Sequence, residues 1–136
     1  MLKLYLDIDG VLLTAKHIKA AEYAIEFIDF ITDNFECYWL TTHCKGETKA
    51  PLSYLAKYFD LYTIKKLSKI NSTNWTTLKT EAIDFSSNFI WLEDYPFNSE
   101  KMVLTSKNVF EKLIIIDLNN DNELKKVSQI LIDFNT

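Results

Sequence analysis

Carboxylates stand in two pairs, each directly after an apolar segment of the sequence. Asp7 and Asp9 form the first pair, and Glu93 and Asp94 form the second. Two unit charges about 4 Å apart interact by about 4 kcal/mol at an effective dielectric of about 20, so carboxylates brought together would repel strongly. A cation is therefore expected beside them. Oxygen ligands alone favour Mg²⁺ over zinc, for which histidine and cysteine are usual.

Hydroxyl and ammonium groups lie between these two pairs in the chain. Thr41 and Thr42 follow a short apolar segment, and Lys79 precedes the second acidic pair. A metal beside an ionised aspartate, with a second carboxyl and a lysine nearby, suits phosphoryl transfer in which Asp7 attacks phosphorus. Taken singly, each residue also has an ordinary structural interpretation as a helix cap, a strand residue or a surface charge.

The elements that must position these residues follow from the apolar periodicity. The spacing predicts strands over 3–8, 38–40, 61–66, 89–92 and 113–116, and helices over 16–33, 50–59, 77–85 and 122–134. Strands alternating with helices predict one α/β domain over residues 1–136, a three-layer Rossmann-like sandwich with a mainly parallel five-stranded sheet. The carboxyl ends of such strands meet at one crevice, and the candidate residues fall at those ends. Residues 98–108 lack periodicity and are predicted to form a mobile edge.

Composition excludes several classes of protein. The chain has 136 residues, of which 48% are hydrophobic and 25% charged, so a folded domain is expected rather than disorder or a coiled coil. It contains no arginine and its net charge is -4, so lysine, hydroxyls, backbone amides or a metal must bind phosphate, and duplex DNA is disfavoured as a partner. No apolar run approaches the ~20 residues of a membrane span, so we expect no membrane partner and a cytoplasmic location.

The cysteines and histidines show no pattern that assigns them chemistry. Cys37 and Cys44 match neither a disulfide framework nor a zinc pattern, and are predicted to be reduced structural thiols. His17 and His43 lack the spacing of metal ligands. His43 follows Thr41 closely, but a structural or bystander role is predicted for it.

Four aromatic residues lie near the candidate site in the sequence. Trp39 and Trp91 stand inside apolar segments and are predicted to belong to the core. Tyr95 and Phe97 directly follow the second acidic pair, where they are predicted to form a rim that could stack on a ring of the substrate.

Together these residues resemble four ordered motifs of a known superfamily. The run Asp7-Ile8-Asp9-Gly10-Val11, then Thr41, Lys79 and Leu92-Glu93-Asp94, is similar to the motifs of the haloacid dehalogenase-like (HAD) hydrolases. The resemblance implies that Asp7 forms an aspartyl-phosphate and that Asp9 protonates the leaving oxygen and then activates water. It also implies that Thr41 binds the transferring phosphoryl group and that Lys79 balances the charge.

The same resemblance implies a Mg²⁺ site and a phosphorylated substrate. The metal would contact the Asp7 carboxylate, the Asp9 backbone carbonyl and Asp94, with Glu93 assisting. Most relatives with adjacent acids carry aspartate first, so Glu93 is a departure from their pattern. The substrate-binding residues would be Gly10, Thr42 and Tyr95.

The spacing of the motifs implies a small member of the superfamily without a cap domain. The segments between Asp9 and Thr41 and between Thr41 and Lys79 are too short to contain a full cap domain. An open site suits a phosphate on a macromolecule, or requires closure by a second copy of the chain. The run Trp39-Leu40-Thr41-Thr42-His43 is partly similar to the Trp-x-Thr element of HAD domains in predicted RNA-repair proteins, although His43 stands where an aromatic residue is common.

Two other interpretations fit the same kinds of residue. Receiver domains of response regulators also combine an acidic cluster, a threonine and a lysine, but their acidic pair comes first, whereas here an acidic element follows Lys79. A non-catalytic phosphate-binding or protein-interaction module could retain the HAD fold. The presence of each expected catalytic residue type favours a phosphatase.

Overall fold

The computed structural model describes residues 1–135 and contains a four-stranded parallel sheet with five α-helices. The strands are β1 (Lys3–Leu6), β2 (Glu36–Trp39), β3 (Phe89–Glu93) and β4 (Leu113–Ile115). The helices are α1 (Ala24–Asn34), α2 (Lys49–Leu55), α3 (Leu61–Leu67), α4 (Asn98–Ser106) and α5 (Glu123–Phe134). Two 3₁₀ turns cover Lys79–Ala82 and Phe110–Lys112.

The strand order β2-β1-β3-β4 places β1 between β2, which precedes Thr41 in the chain, and β3, which ends at Glu93. Leu6 at the end of β1 pairs with Trp39 on one side and Leu92 on the other. All neighbouring strands are parallel, so the residues that follow β1, β2 and β3 emerge at the same edge. The predicted convergence of the strand ends is therefore confirmed.

Apolar side chains cover both faces of the sheet. Leu4 and Leu6 belong to a buried cluster that includes residues of α1, α3 and α5. Tyr5, between them, joins a second cluster with Trp91 and with Leu104 of α4. Burial on both faces explains the continuous apolar sequence of β1, which is typical of strands inside parallel sheets.

Helix α1 packs against α3 and α5, and its buried residues lie at helical spacing. They are Ala24, Phe27, Ile28 and Ile31. The helix predicted over 16–33 begins only at Ala24 in the structure. His17 and Tyr23 adopt positive φ angles, and Tyr23 directly precedes the first residue of α1, so the segment before it is a loop.

The strand predicted over 61–66 was wrong, because these residues lie in helix α3, and the sheet therefore has four strands rather than the predicted five. Asp60 caps this helix by accepting a hydrogen bond from the Thr63 N–H at 2.8 Å. Thr63 and Leu67 are buried, at the four-residue spacing of one helix face. A short apolar run is compatible with a strand or with a helix. Here the Asp60 cap and the packing against α1 favour the helix.

Two further segments differ from the prediction. The helix predicted over 77–85 is only the 3₁₀ turn Lys79–Ala82. Residues 98–108, predicted to be a mobile edge, contain helix α4. That helix buries Glu100 and Leu104, so one of its two buried positions is an acid and its sequence lacks an apolar stripe.

The predicted interior residues are confirmed. Trp39 and Trp91 are fully buried, and Cys37 and Cys44 are buried free thiols. Burial raises the pKa of Cys37 to about 12, so this thiol stays protonated. Within residues 1–135, none of the helices combines the length and the apolar character needed to cross a membrane.

Candidate functional site

The end of β1 presents Asp7 in a nearly buried position. Its Oδ1 accepts a hydrogen bond from the Ile8 N–H at 2.7 Å, and its Oδ2 accepts one from Lys79 Nζ at 2.9 Å. The Ile8 carbonyl in turn accepts from the N–H groups of residues 11, 12 and 13, which turns the chain sharply after the strand. The carboxylate is thus oriented by its own backbone and by a distant lysine.

The turn brings Gly10 against the end of β3. Gly10 has a φ of +82°, and a Cβ there would lie 2.1 Å from Asp94 Oδ2. Only glycine combines this backbone conformation with this approach. The Gly10 N–H donates to the Leu13 carbonyl at 2.7 Å, which occupies it within the turn. The observed contribution of Gly10 is therefore to let the β1 loop and Asp94 meet, and its role in substrate binding stays a prediction.

Three carboxylates converge at this point. Asp7, Glu93 and Asp94 each offer an oxygen, and these oxygens lie within 4.8 Å of one another. Lys79 Nζ donates to Asp7 at 2.9 Å and to Glu93 Oε1 at 2.6 Å. The side chains of Lys79, Asp7 and Glu93 are only 13%, 12% and 3% exposed. One ammonium group faces three acids, so the cluster can accept further positive charge.

Burial and neighbouring charges shift the pKa values of Glu93 and Lys79. Burial and the neighbouring Asp7 carboxylate raise the pKa of Glu93 to about 9, against the opposing effect of Lys79. Burial opposes the charged form of Lys79, but the carboxylates of Asp7 and Glu93 outweigh it and raise the pKa of the ammonium group. Lys79 is therefore charged at neutral pH.

The two acids at the end of β3 have different surroundings. Glu93 Oε2 accepts hydrogen bonds from the backbone N–H groups of Asp94 and Tyr95 at 3.1 and 3.3 Å, while Oε1 accepts from Lys79. The half-buried Asp94 forms no ion pair with a lysine among residues 1–135. Asp94 is thus the carboxylate most open to a metal, while Glu93 mainly holds Lys79.

The position of Lys79 depends on a buried acid that the sequence analysis did not single out. Glu100 Oε2 accepts a hydrogen bond from the Lys79 N–H at 2.8 Å, and its Oε1 accepts one from the Phe97 N–H at 2.9 Å. Glu100 therefore joins the start of α4 to the 3₁₀ turn that carries the lysine. An acid in the first turn of a helix was the available sequence signal, but it indicates capping rather than this long-range contact.

Asp9 stands two residues after Asp7 in the chain, and its side chain contacts two residues for which no catalytic role was predicted. His43 Nε2 lies 2.8 Å from Asp9 Oδ2, and the Tyr54 hydroxyl donates to Asp9 Oδ1 at 2.8 Å. Burial and the hydrogen bond to Asp9 raise the pKa of Tyr54 to about 12. His43 could have been suspected from its position two residues after Thr41, whereas no sequence signal identified Tyr54.

The remaining predicted residues lie in the loops that follow β2 and β3. Thr41 is fully buried just beyond β2, and its Oγ1 accepts a hydrogen bond from the His43 N–H at 3.3 Å. Thr42 is exposed. Tyr95 and Phe97 are 78% and 56% exposed, as expected for a rim. Within residues 1–135, no hydrogen bond joins the side chain of Thr41 or Thr42 to the three carboxylates.

The donor set fits Mg²⁺. It consists of carboxylate oxygens close enough to share one ion, and it offers neither sulfur nor imidazole, which zinc would favour. Gly10 leaves room for the Asp94 carboxylate where any side chain would displace it. Lys79 supplies one positive charge beside the carboxylates of Asp7 and Asp94, and the remaining negative charge supplies the electrostatic attraction for a cation.

Replacing Lys79 with methionine should destabilise the fold by about 3 kcal/mol at neutral pH without metal, because it leaves the buried carboxylate of Asp7 without its cationic partner. The folded-state pKa of Lys79 is raised, so its stabilising effect is complete below the ordinary lysine pKa and is lost as pH rises through the raised value. The difference between the variant and the wild type should therefore narrow at strongly alkaline pH. Urea unfolding across pH measures both effects.

Lys66→Met is the matched control for this prediction. Lys66 also pairs with two carboxylates, Asp29 and Asp33, but these are 47% and 48% exposed. Water can solvate them after the substitution, so a much smaller loss is expected. Equal losses in the two variants would contradict the buried character assigned to the Lys79 cluster.

Comparison of the chain with protein-family models, curated proteins and solved structures found no match.

Proposed function

We propose that the protein is a Mg²⁺-dependent phosphomonoesterase with a three-layer Rossmann-like, capless HAD-type fold that acts through an aspartyl-phosphate on Asp7. The observation that carries the proposal is the meeting of Asp7, Lys79, Glu93 and Asp94 at the carboxyl edge of the sheet. These residues come from distant parts of the chain and match the order of motifs that resembles the HAD hydrolases. A structural ion pair alone does not require a third carboxylate or the glycine beside it.

The proposed first step is displacement at phosphorus by Asp7. Its carboxylate forms a bond to phosphorus while the bond from phosphorus to the leaving oxygen breaks, and Asp9 gives that oxygen a proton. Lys79 offsets negative charge as the nucleophile and the phosphoryl group approach each other. Thr41 would hydrogen-bond the transferring group.

The second step returns the protein to its starting state. Asp9 accepts a proton from a water molecule, whose oxygen attacks phosphorus and breaks the bond to Asp7. Inorganic phosphate leaves and the Asp7 carboxylate is restored. The proton that Asp9 gave up in the first step is thus recovered in the second, and protons balance over the cycle.

Asp7 and Asp94 would hold Mg²⁺, with Glu93 close by and the Asp9 backbone carbonyl as a further ligand. When bound, Mg²⁺ would offset the charge of the phosphate and of the carboxylates. The residues of the chain perform the bonding and proton transfers described above.

The surroundings of Asp94 support an exposed phosphate as substrate. A cavity of about 580 Å³ lined by Gly10, Lys16 and Asp94 lies on one side. A second cavity of about 420 Å³, with Tyr95 and Lys101 in its wall, also reaches Asp94. The group attached to the phosphate could therefore extend over an open surface without entering an enclosed pocket, as a phosphate on a larger molecule requires.

An assay with p-nitrophenyl phosphate tests the proposal. Release of p-nitrophenolate should require added Mg²⁺, stop with EDTA and resume when Mg²⁺ is added in excess. Mg²⁺ should also raise the melting temperature of the wild type but not that of Asp94→Asn, which provides a measurement independent of turnover. Clean protein that binds Mg²⁺ and releases no product would favour the non-catalytic phosphate-binding module.

A further inference from the structure

We propose that His43 and Tyr54 are positioning residues that hold the carboxylate of Asp9 from two sides and so govern its proton transfers. This inference rests on the proposed phosphatase function, since it assigns Asp9 the acid and base role. The relevant contacts are those of His43 Nε2 with Asp9 Oδ2 and of the Tyr54 hydroxyl with Asp9 Oδ1, both at 2.8 Å. We refer to His43 and Tyr54 as the Asp9 clamp.

The two side chains of the clamp also support each other. The rings of His43 and Tyr54 are stacked, with centroids 4.1 Å apart and planes inclined by 15°. Tyr58 packs edge-on against Tyr54 with centroids 5.7 Å apart. The Asp9 carboxylate is therefore held by a packed pair of rings rather than by two freely rotating side chains.

The clamp comes from two elements that lie apart in the chain. The loop after β2 provides His43, whose own N–H donates to the buried Thr41 Oγ1 at 3.3 Å. Helix α2 provides Tyr54. Because Thr41 is the residue proposed to bind the phosphoryl group, His43 connects the phosphoryl-binding loop to the acid and base residue through two hydrogen bonds.

This arrangement leaves Asp9 free to act on a substrate. Each carboxylate oxygen has two lone pairs, so one hydrogen bond to each oxygen leaves a second site for proton transfer. The Asp9 side chain is 42% exposed, so a leaving oxygen can reach it. A fixed carboxylate loses less rotational freedom when it meets the leaving oxygen, and proton transfer is correspondingly more efficient.

A positioning role differs from simple packing in its dependence on the leaving group. Protonation of the leaving oxygen matters little for p-nitrophenolate, which departs readily as an anion, and much more for phenolate or an alkoxide. Loss of the clamp should therefore lower kcat/KM, which reports the first step, far more for phenyl phosphate than for p-nitrophenyl phosphate. A general loss of folding would slow both equally.

The kinetic experiment compares Tyr54→Phe, His43→Ala and His43→Gln with the wild type on both esters in the presence of Mg²⁺. Tyr54→Phe and His43→Ala should each lower kcat/KM, which reports the first step, about tenfold for phenyl phosphate, the effect of about one hydrogen bond. The same substitutions should change kcat/KM for p-nitrophenyl phosphate less than about threefold. His43→Gln should recover part of the loss because its amide can replace the ring nitrogen. Tyr58→Phe removes a neighbouring hydroxyl that does not bond Asp9 and should leave both rates unchanged.

A second measurement does not require turnover. The chain contains only His17 and His43, so ring ¹⁵N spectra are simple and His17 serves as an internal reference. At an alkaline pH where free imidazole is neutral and without Mg²⁺, Asp9→Asn should shift the Nε2 signal of His43 and leave that of His17 in place.

The outcomes separate the two proposals. Equal loss of kcat/KM on both esters, or an unmoved His43 signal in Asp9→Asn, overturns the clamp even if the phosphatase activity is real. A wild type without Mg²⁺-dependent activity overturns the proposed function, and with it the proton-transfer role of the clamp, even where the His43 signal moves.

Discussion

Asp7→Asn should lower the steady-state release of phosphate by at least about a thousandfold with every phosphomonoester, because the amide that replaces the carboxylate is not a nucleophile. The substitution is nearly isosteric, and its oxygen can still accept the hydrogen bond from the Ile8 N–H. The amide loses the hydrogen bond that Asp7 Oδ2 accepts from Lys79, but Lys79 keeps its contact with Glu93. The fold should therefore survive, which circular dichroism and the melting temperature can verify. The measurement is product release under saturating Mg²⁺.

A labelled substrate tests directly whether the chain carries the phosphoryl group during turnover. Wild-type protein quenched in acid during turnover should retain ³²P on the chain, and Asp7→Asn should retain none. Asp121→Asn is the matched control, since Asp121 is an exposed aspartate far along the chain from the cluster, and it should behave like the wild type. Turnover by Asp7→Asn at a rate near that of the wild type would exclude Asp7 as the nucleophile.

Asp9→Asn should abolish steady-state turnover, with an expected loss of about 10²- to 10⁴-fold, the usual contribution of general acid and base catalysis. Asparagine can neither protonate the leaving oxygen nor take a proton from water. With p-nitrophenyl phosphate the first step needs little acid assistance, so a single burst of p-nitrophenolate stoichiometric with protein is expected. Rapid mixing with absorbance detection measures the burst and the following slow phase.

Binding of Mg²⁺ provides the control for this variant, because Asp9→Asn leaves the backbone carbonyl of residue 9 unchanged. The rise of the melting temperature with Mg²⁺ should match that of the wild type, because the proposed metal contact of this residue is its carbonyl. A lost Mg²⁺ response would mean that the substitution damages the metal site, and the activity result would then not report on proton transfer. Activity near that of the wild type with an intact Mg²⁺ response would remove Asp9 from the mechanism.

The carboxylate cluster could be located from the sequence because the buried strands of a parallel sheet form continuous apolar segments that are readily recognised. The strand β1 is buried on both faces and reads as a continuous apolar segment, so its end, and hence Asp7, could be identified. The same holds for β3, which ends at Glu93. Parallel pairing then brings these ends to one edge, so convergence follows from topology without knowledge of side-chain positions.

Local sequence was less informative where a segment is short or buries polar groups. The run that forms α3 is apolar and short, and its identity as a helix depends on the Asp60 cap and on packing against α1. Helix α4 was missed because Glu100 occupies one of its buried positions. That acid is satisfied by the backbone N–H groups of Lys79 and Phe97, contacts that exist only once the chain is folded.

The sequence by itself determined which chemical groups stand at the strand ends and in what order, since strand burial and turn residues leave periodic, local signals. Only the tertiary structure decided how those groups are held: Lys79 by Glu100, and Asp9 by His43 and Tyr54. Such contacts join residues far apart in the chain, and their formation depends on the packing of whole elements. The local sequence pattern does not determine the direction in which a side chain points after its strand has ended.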